Sequence, residues 1–368
     1  MYEKNKYFLI TLILMIFIFT FTLFPNSTWA EDEIPSLHEL FEDHFYIGAA
    51  LSNHAYVKQT LDTHRDLIET HFNSATAENV MKPEEVQPTR GDFDFDRADE
   101  LIEVARENDM KVRGHTLVWH NQTPDWFFED SSGQQRSKEE VLEIMEEHIE
   151  TVMTHFEDDV YAWDVVNEAI DNGDYRQTPW LEIVGDEYIA HAFEYAHQVD
   201  PEAKLFYNDY NTVQRRDKIY DMVKGLIEDG VPIHGIGMQG HWDIGGPSIN
   251  EIEYTIEKFA ELDELTDYDF EIQITELDIS IYEWHEQDLN YQSPPADRMA
   301  QQADRYEDLF ELFIDHSDKI TSVSFWGLAD DKTWLDNFPV QGRDNWPFLF
   351  DENHEPKEAF WRVVDLVK

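Results

Sequence analysis

The chain alternates short apolar runs with amphipathic stretches from about residue 37 to its end. The apolar runs are rich in β-branched and aromatic residues, which is typical of buried strands, and the stretches between them have helical periodicity. The predicted strands cover residues 46–49, 74–77, 111–118, 162–166, 204–207, 235–239, 271–275 and 322–326. The predicted helices cover residues 98–108, 138–155, 187–197, 216–229, 251–262 and 299–316. This alternation indicates repeated βα units.

Eight such strands, spaced about 40 residues apart, predict an α/β fold, the (β/α)8 TIM barrel, in a single catalytic domain over residues 31–368. A doubly wound sheet would need a phosphate-binding loop after its first strand, and none is present. The glycines of segment 235–240 (GIGMQG) match a dinucleotide-binding pattern. They lie inside a predicted strand, and the segment 241–247 that follows cannot begin a helix, so we expect no nicotinamide or flavin and no other cofactor.

The N-terminus has the features of a secretory signal peptide. Lys4 and Lys6 precede an apolar run over residues 7–24, and Thr28 and Ala30 supply small residues at a cleavage site. We therefore expect a signal peptide at residues 1–30, cleavage near Ala30 and an extracellular enzyme. An uncleaved membrane anchor is the alternative, because the run approaches the thickness of a bilayer. The chain contains no cysteine, so disulfides are excluded.

The charge balance is strongly acidic. Against 27 Lys and Arg stand 79 Asp and Glu, for a formal net charge of −52. Nucleic acids and anionic membrane surfaces are therefore poor partners, because they require concentrated basic residues. A cationic substrate would suit this charge, but an acidic surface that keeps the protein soluble is the simpler interpretation. No obligate protein partner is expected, and a monomer is predicted.

Two glutamates follow predicted barrel strands directly. Glu168 comes after the fourth strand and Glu276 after the seventh. The C-terminal ends of barrel strands carry the chemistry in this fold, so both carboxylates are expected at one face. A pair of facing carboxylates, one protonated and one ionised, is what glycosidic bond cleavage requires. The alternative is that each is an ordinary loop acid in an acid-rich chain.

Several motifs in one order resemble glycoside hydrolase family 10, the (β/α)8 xylanases, over nearly the whole chain after residue 31. The segments 163–168 (WDVVNE) and 272–278 (IQITELD) resemble the two catalytic motifs of that family. The other segments that carry the resemblance are 77–83 (AENVMKP), 113–120 (RGHTLVWH), 206–211 (FYNDYN), 239–241 (QGH) and 326–334. Any one motif alone would be a weak signal.

The resemblance implies that Glu168 is the acid/base and Glu276 the nucleophile, with net retention of configuration. It places Asn167 beside the acid, where its amide can contact the sugar 2-hydroxyl. It also places His241 beside the nucleophile, where the histidine can keep Glu276 ionised and oriented. Asp278 is expected to orient that histidine.

The resemblance also implies a set of sugar-binding residues. They are Glu78, Asn79, Lys82, His115, Trp119 and Gln239 on the non-reducing side, with Trp326 and Trp334 as an aromatic floor and lid. Alternatives remain: Trp119 and Trp326 as barrel core, Lys82 as a surface charge, and His115 with His120 as a structural metal pair. We expect no metal, since no ligand spacing identifies a Ca²⁺ or Mg²⁺ site. The long loop 330–348, with Trp334, Phe338 and Trp346, is expected to close one side of the leaving-group subsites.

Together these features predict a secreted, retaining endo-1,4-β-xylanase that degrades xylan and xylo-oligosaccharides by double displacement. A β-1,4-glucanase with the same glutamate pair is the enzyme alternative. It would differ in the space around Lys82, Trp119 and Trp334, which decides whether a C6 hydroxymethyl group is admitted. An inactive sugar-binding barrel is the other alternative, but such proteins usually lose a catalytic carboxylate and both are present here.

Overall fold

Eight parallel strands form a closed barrel in the computed structural model, which describes residues 34–51 and 62–368. The compact unit spans Ser36–Lys368. The predicted signal peptide, residues 1–30, lies outside the described residues. Within the described ranges, no helix is both long enough and apolar enough to cross a membrane.

Each barrel strand pairs in parallel with its two neighbours, and the last strand closes on the first. The strands are β1 Tyr46–Leu51, β2 Ser74–Ala77, β3 Lys111–Val118, β4 Val160–Asn167, β5 Lys204–Asp209, β6 Gly235–Met238, β7 Glu271–Ser280 and β8 Ile320–Phe325. The register that closes the barrel sets Tyr46 opposite Ser322 and Ala49 opposite Phe325. All eight carboxyl ends therefore open on one face, where the predicted site residues lie.

Helices surround the strands and cover the barrel. They are Leu37–Leu40, Arg65–His71, Pro83–Val86, Asp96–Glu107, Lys138–His155, Pro179–Ile183, Tyr188–Val199, Thr212–Glu228, Ile249–Ala260, Ala296–Asp315 and Glu358–Asp365. Short 3-10 turns lie at Asp125–Phe127, Glu261–Leu265 and Trp334–Asp336. Two short elements decorate the catalytic face, a hairpin of Ile170–Asp171 with Asp174–Tyr175 and a strand His241–Asp243 beside the end of β7.

The predicted fold class is confirmed, and the bounds of several elements are matched. β2, β3 and the helix Lys138–His155 agree with the predicted ranges, and the helix is fixed by a capping box in which Ser137 and Glu140 exchange hydrogen bonds. The predicted end of β7 at residue 275 was wrong, because the strand runs on to Ser280. The additional strand residues 278–280 form backbone pairs with the short strand His241–Asp243, which extends β7 beyond its predicted end.

The inside of the barrel is polar near its middle. Arg113 on β3 forms a buried ion pair with Asp164 on β4 and donates across the barrel to Gln273 Oε1 on β7 at 2.8 Å. The ion pair is acceptable in this setting because its charges are both paired and hydrogen-bonded. The apolar core lies instead between strands and helices. There Gly114 lets β3 approach the indole of Trp163, to which a Cβ would come within 2.2 Å.

Candidate active site

A cleft of about 890 Å³ opens at the carboxyl ends of the strands. The thirteen residues that the sequence analysis assigned to catalysis or sugar binding all line it: Glu78, Asn79, Lys82, His115, Trp119, Asn167, Glu168, Gln239, His241, Glu276, Asp278, Trp326 and Trp334. They come from segments far apart in sequence and are brought together by the closure of the barrel. The structure thus gathers the predicted residues in one place, and their individual roles stay predictions.

Glu276 is buried on β7, with 4% of its surface exposed. Its Oε1 accepts a hydrogen bond from Asn208 Nδ2 at 2.7 Å, and its Oε2 lies 3.1 Å from His241 Nε2. Burial alone would raise the pKa of Glu276. The hydrogen bond from His241 and the positive charge of the nearby imidazoles outweigh burial, so that the pKa is held below its usual value. Glu276 is therefore an ionised carboxylate at neutral pH, the form in which a nucleophile can attack.

His241 connects Glu276 to a second carboxylate. Its Nδ1 lies 2.9 Å from Asp278 Oδ2, and the same oxygen accepts a hydrogen bond from Trp334 Nε1 at 2.7 Å. Burial opposes protonation of the imidazole, but the charge of Asp278 and the hydrogen bonds to both carboxylates raise the pKa of His241 to about 10. The histidine is thus a cation held between two anions, and Trp334 fixes the outer one.

Glu168 lies directly after β4, in the left-handed region of the backbone with φ of 60°. Such a conformation is uncommon for a residue with a side chain and persists only where its surroundings fix it. Here the N–H of Glu168 donates to Asn208 O at 2.8 Å, and Arg176 Nε donates to Glu168 O at 2.9 Å. Arg176 is itself positioned by Tyr210, whose hydroxyl lies 2.7 Å from Nη2. These contacts hold the carboxylate pointed into the cleft.

Both oxygens of the Glu168 carboxylate accept hydrogen bonds from N–H donors. Trp119 Nε1 donates to Oε2 at 3.1 Å, and Gln239 Nε2 donates to Oε1 at 3.1 Å. Asn167 Nδ2 lies further off, at 3.5 Å from Oε1. The indole and the amide therefore fix the plane of the carboxyl group, while its half-buried position leaves it open to the cleft.

A row of side-chain amides links the two glutamates. Asn167 Oδ1 accepts from Gln239 Nε2 at 3.3 Å and from Asn208 Nδ2 at 2.9 Å. Because Gln239 also reaches Glu168 and Asn208 also reaches Glu276, one continuous set of hydrogen bonds spans the pair. The two carboxylates consequently have a fixed mutual orientation rather than independent ones.

Lys82 is buried at the cleft wall rather than lying on the surface, contrary to the surface-charge alternative. Its Nζ donates to Asn79 Oδ1 at 3.1 Å and to Gln122 Oε1 at 3.0 Å, and it lies 4.8 Å from the centre of the Trp119 ring. Burial lowers the pKa of Lys82, against the charge of Glu276 and other acids. The ammonium group presents a pre-oriented donor to a ligand in the cleft.

The barrel-core alternative for the two tryptophans is not what the structure shows, since Trp119 and Trp326 both line the cleft. Trp326 packs edge-on against His115, with ring centres 5.3 Å apart. His115 Nδ1 lies 2.8 Å from Asp164 Oδ2, and this contact fixes the orientation of the imidazole ring. His115 therefore has a carboxylate partner, and among the described residues it forms no metal-ligating group with His120.

Sequence reasoning missed two residues that hold the glutamates. Asn208 directly follows the fifth predicted strand, residues 204–207, and lies inside the segment 206–211 that carries the resemblance, so its position was a usable signal. Arg176 lies in the loop after β4, where nothing in the sequence marked it. In the loop 330–348, Trp334 and Phe338 line the cleft, whereas Trp346 is buried, with Nε1 donating to Glu352 Oε1 at 2.6 Å. That this loop closes one side of the leaving-group subsites stays a prediction.

Comparison with known proteins fits this geometry. The model of the family described as "Glycosyl hydrolase family 10" matches residues 36–366. The chain belongs to glycosyl hydrolase family 10. Among similar proteins, it is 48% identical over 337 residues to endo-1,4-beta-xylanase B of Paenibacillus barcinonensis, covering 90% of this chain and 98% of that one. It is 49% identical over 338 residues to an endo-1,4-beta-xylanase of Geobacillus stearothermophilus, covering 90% and 99%.

Solved structures agree with the family assignment. The fold matches that of xylanase XynB from Paenibacillus barcinonensis, complexed with a conduramine derivative, with a TM-score of 0.86 at 48% identity. That alignment covers 90% of this chain and 99% of the other. A family 10 xylanase of Thermobacillus composti matches with a TM-score of 0.80 at 48% identity, over 90% and 99% of the two chains. The protein is therefore a glycoside hydrolase with a family 10 barrel.

Proposed function

We propose that this protein is a retaining endo-1,4-β-xylanase that cleaves internal β-1,4-xylosidic bonds of xylan by double displacement. The observation that supports this most is the pair of Glu168, directly after β4, and Glu276, within β7, linked by amides across one cleft. Family membership and the printed names of the relatives point to the same reaction.

In the first step, the ionised Glu276 attacks the anomeric carbon of the sugar that lies on the non-reducing side of the bond to be cleaved. Glu168 gives its proton to the glycosidic oxygen, so the leaving sugar departs with a hydroxyl group. The carbon–oxygen bond to the leaving group breaks as the ester bond to Glu276 forms. The low pKa of Glu276 suits this role because the carboxylate needs no prior loss of a proton.

In the second step, Glu168 acts as a base. It takes a proton from a water molecule, whose oxygen attacks the same carbon and releases Glu276 as a carboxylate. Two inversions give net retention, and a separation between the two carboxyl groups of about 5–5.5 Å is expected for such a pair. Water is the only co-reactant, so the reaction needs no cofactor.

Asn167, His241 and Asp278 act through the two glutamates and the sugar. His241 keeps Glu276 ionised before attack and is still paired with Asp278 once the ester has formed, so it is never left as a buried unpaired cation. Asn167 is expected to bind the sugar 2-hydroxyl, a contact that strengthens in an oxocarbenium-like transition state.

The other predicted residues form the sugar-binding walls. Glu78, Asn79, Lys82, His115, Trp119 and Gln239 are assigned to the non-reducing side, and Trp326 and Trp334 to the floor and lid. Xylan rather than glucan is proposed, because Lys82 and Trp119 stand in contact at the wall where a C6 hydroxymethyl group would need room. Xylo-oligosaccharides are the expected products.

We further propose that residues 1–30 are a signal peptide, that the mature enzyme comprises residues 31–368, and that it acts outside the cell as a monomer. The predicted acidic surface is expected to keep it soluble there. Mass spectrometry of the protein recovered from culture medium tests this, and a mass that includes residues 1–30, or recovery from the membrane fraction alone, would contradict it.

Release of reducing ends from xylan and from carboxymethyl cellulose tests the function, with Glu168→Gln and Glu276→Gln beside the unmodified enzyme. Glu182→Gln, a change in an exposed acid of the helix Pro179–Ile183, serves as the control. We expect short xylo-oligomers, no cleavage of cellulose, and loss of about 10³-fold or more in both site variants. Cleavage of cellulose at a similar rate would refute the xylan assignment, and full activity in either site variant would refute the catalytic one.

A further inference from the structure

Three potential metal ligands meet outside the cleft, on segments that the sequence keeps far apart. His64 lies just before the helix Arg65–His71, Asp331 at the beginning of the loop after β8, and His354 in a turn near the C-terminal helix. His64 Nε2 lies 3.0 Å from Asp331 Oδ1, and His354 Nε2 lies 3.6 Å from Asp331 Oδ2. The two imidazole rings are 4.4 Å apart, centre to centre.

The three side chains offer one ligand atom each, and these atoms all lie within 4.8 Å of one another. Bond lengths of about 2.0–2.2 Å from zinc to nitrogen and oxygen place tetrahedral ligand atoms about 3.3–3.6 Å apart, so an ion would be reached by small side-chain rotations. Two imidazoles and one carboxylate, with a fourth position for water, form a ligand set that zinc accepts. Among the described residues, no other group of three His, Cys, Asp or Glu converges in this way.

Burial at the cluster also suits a bound ion. The side chain of His64 is 6% exposed, whereas those of Asp331 and His354 are 28% and 27% exposed. One ligand is therefore fixed in the interior and two face solvent, which leaves a path for the ion to enter. We propose that His64, Asp331 and His354 bind a zinc ion, a site that the sequence analysis did not expect and that is independent of the proposed function.

The ion would brace the loop that follows β8. Asp331 is preceded by Asp330, which accepts hydrogen bonds from Phe348 N at 2.8 Å and Lys357 Nζ at 2.7 Å. Three residues further on, Trp334 begins the short turn that carries its indole to the cleft. Zinc at Asp331 would tie the beginning of this loop to two other segments, so we expect it to raise resistance to heat and to leave the catalytic rate nearly unchanged at moderate temperature.

Zinc titration by calorimetry tests the site, using the full chain after dialysis against EDTA. The unmodified protein is compared with His354→Ala, Asp331→Asn and the control His316→Ala, which removes a half-buried histidine with a single weak carboxylate contact of 3.9 Å. We expect one saturable site in the unmodified protein and in the control. Each ligand variant should bind at least about 100-fold more weakly, since even outer partners of a metal matter by 10–100-fold.

Thermal unfolding gives a second readout. At a zinc concentration 100-fold above the dissociation constant, the unmodified protein should melt about 3 °C or more higher than in EDTA, and neither ligand variant should respond. Cobalt provides a test that needs no variant, because Co²⁺ in a four-coordinate nitrogen and oxygen site absorbs visible light strongly. Absence of saturable zinc binding, absence of the cobalt absorption, or equal binding by His354→Ala would overturn the proposal.

Discussion

A methyl group added at Gly237 should lower the catalytic rate, because it would displace a residue that holds the nucleophile Glu276. Gly237 lies on β6, and a Cβ there would come within 2.3 Å of Asn208 Oδ1 and 3.0 Å of Thr275 Cγ2. The amide of Asn208 cannot simply swing away, because its Oδ1 accepts from Thr275 Oγ1 at 2.7 Å and its Nδ2 donates to Glu276 at 2.7 Å. In Gly237→Ala, the new carbon must therefore push Asn208 toward the cleft.

The size of the effect follows from this distance. A carbon and an oxygen in ordinary contact need about 3.3 Å, so Asn208 must move by about 1 Å. Misplacement of about 1 Å in a catalytic arrangement costs about 100-fold in rate, or about 2.7 kcal/mol of activation free energy. Overpacking should also lower the free energy of unfolding by about 1–3 kcal/mol.

The assay is kcat on xylan or an aryl xylobioside, measured well below the melting temperature, together with a thermal melt. Gly225→Ala is the matched control, since Gly225 is inside the helix Thr212–Glu228 with nothing within 4 Å of its added Cβ. It should leave kcat unchanged and stabilise the protein by about 0.5–1 kcal/mol. If Gly237→Ala keeps kcat within about twofold of the unmodified enzyme, the reasoning about Asn208 is refuted.

Three other changes test the supports of the site. Arg176→Ala removes the donor to the Glu168 carbonyl and should lower kcat about 10-fold, within the range for a charged hydrogen bond. Trp334→Phe removes the donor to Asp278 while it keeps an aromatic ring at this position, and should lower kcat/KM about 10-fold. The raised pKa of His241 predicts that the unmodified protein has a larger free energy of unfolding than His241→Gln. This difference, the stability gap, should be at its maximum below about pH 6.5 and disappear as the pH rises through about 10.

The predictions for Arg176→Ala and Trp334→Phe each have a control in the chain. Arg90→Ala removes an exposed arginine with only long contacts of 3.6 Å, and should keep its kcat. Trp346→Phe removes a tryptophan N–H that donates to Glu352 away from the cleft, and should keep its kcat/KM. Equal losses in a variant and its control, measured by steady-state kinetics, would contradict the assigned contacts. For His241, a stability gap that grows with pH would contradict the ion-pair account.

The sequence is informative about this fold because buried strands and amphipathic helices differ in period. β3 and the helix Lys138–His155 have uniform patterns and clear boundaries, so their predicted limits agree with the structure. The end of β7 was harder to predict, because its last residues pair with the short strand His241–Asp243 rather than with a barrel strand. That pairing is a tertiary contact, and local periodicity contains no information about it.

The candidate site likewise contains residues that the sequence could predict and residues that it could not. Glu168 and Glu276 could be predicted from sequence because they follow predicted strands and lie in motifs that resemble those of glycoside hydrolase family 10. Arg176 could not, because its role depends on the left-handed backbone of Glu168 and on the path of a loop. His64 and Asp331 are 267 residues apart, and only the closure of the fold brings them within hydrogen-bond distance.

Covalent trapping of the nucleophile tests the central claim most directly. A xylobioside with fluorine at C2 of the reacting sugar and a good leaving group slows the second step more than the first, so the ester on the enzyme should accumulate. Peptide mapping by mass spectrometry should then find one label per chain, on Glu276, with no label in Glu276→Gln. A label on Glu168, or inactivation with no covalent adduct, would contradict the account of double displacement through Glu276.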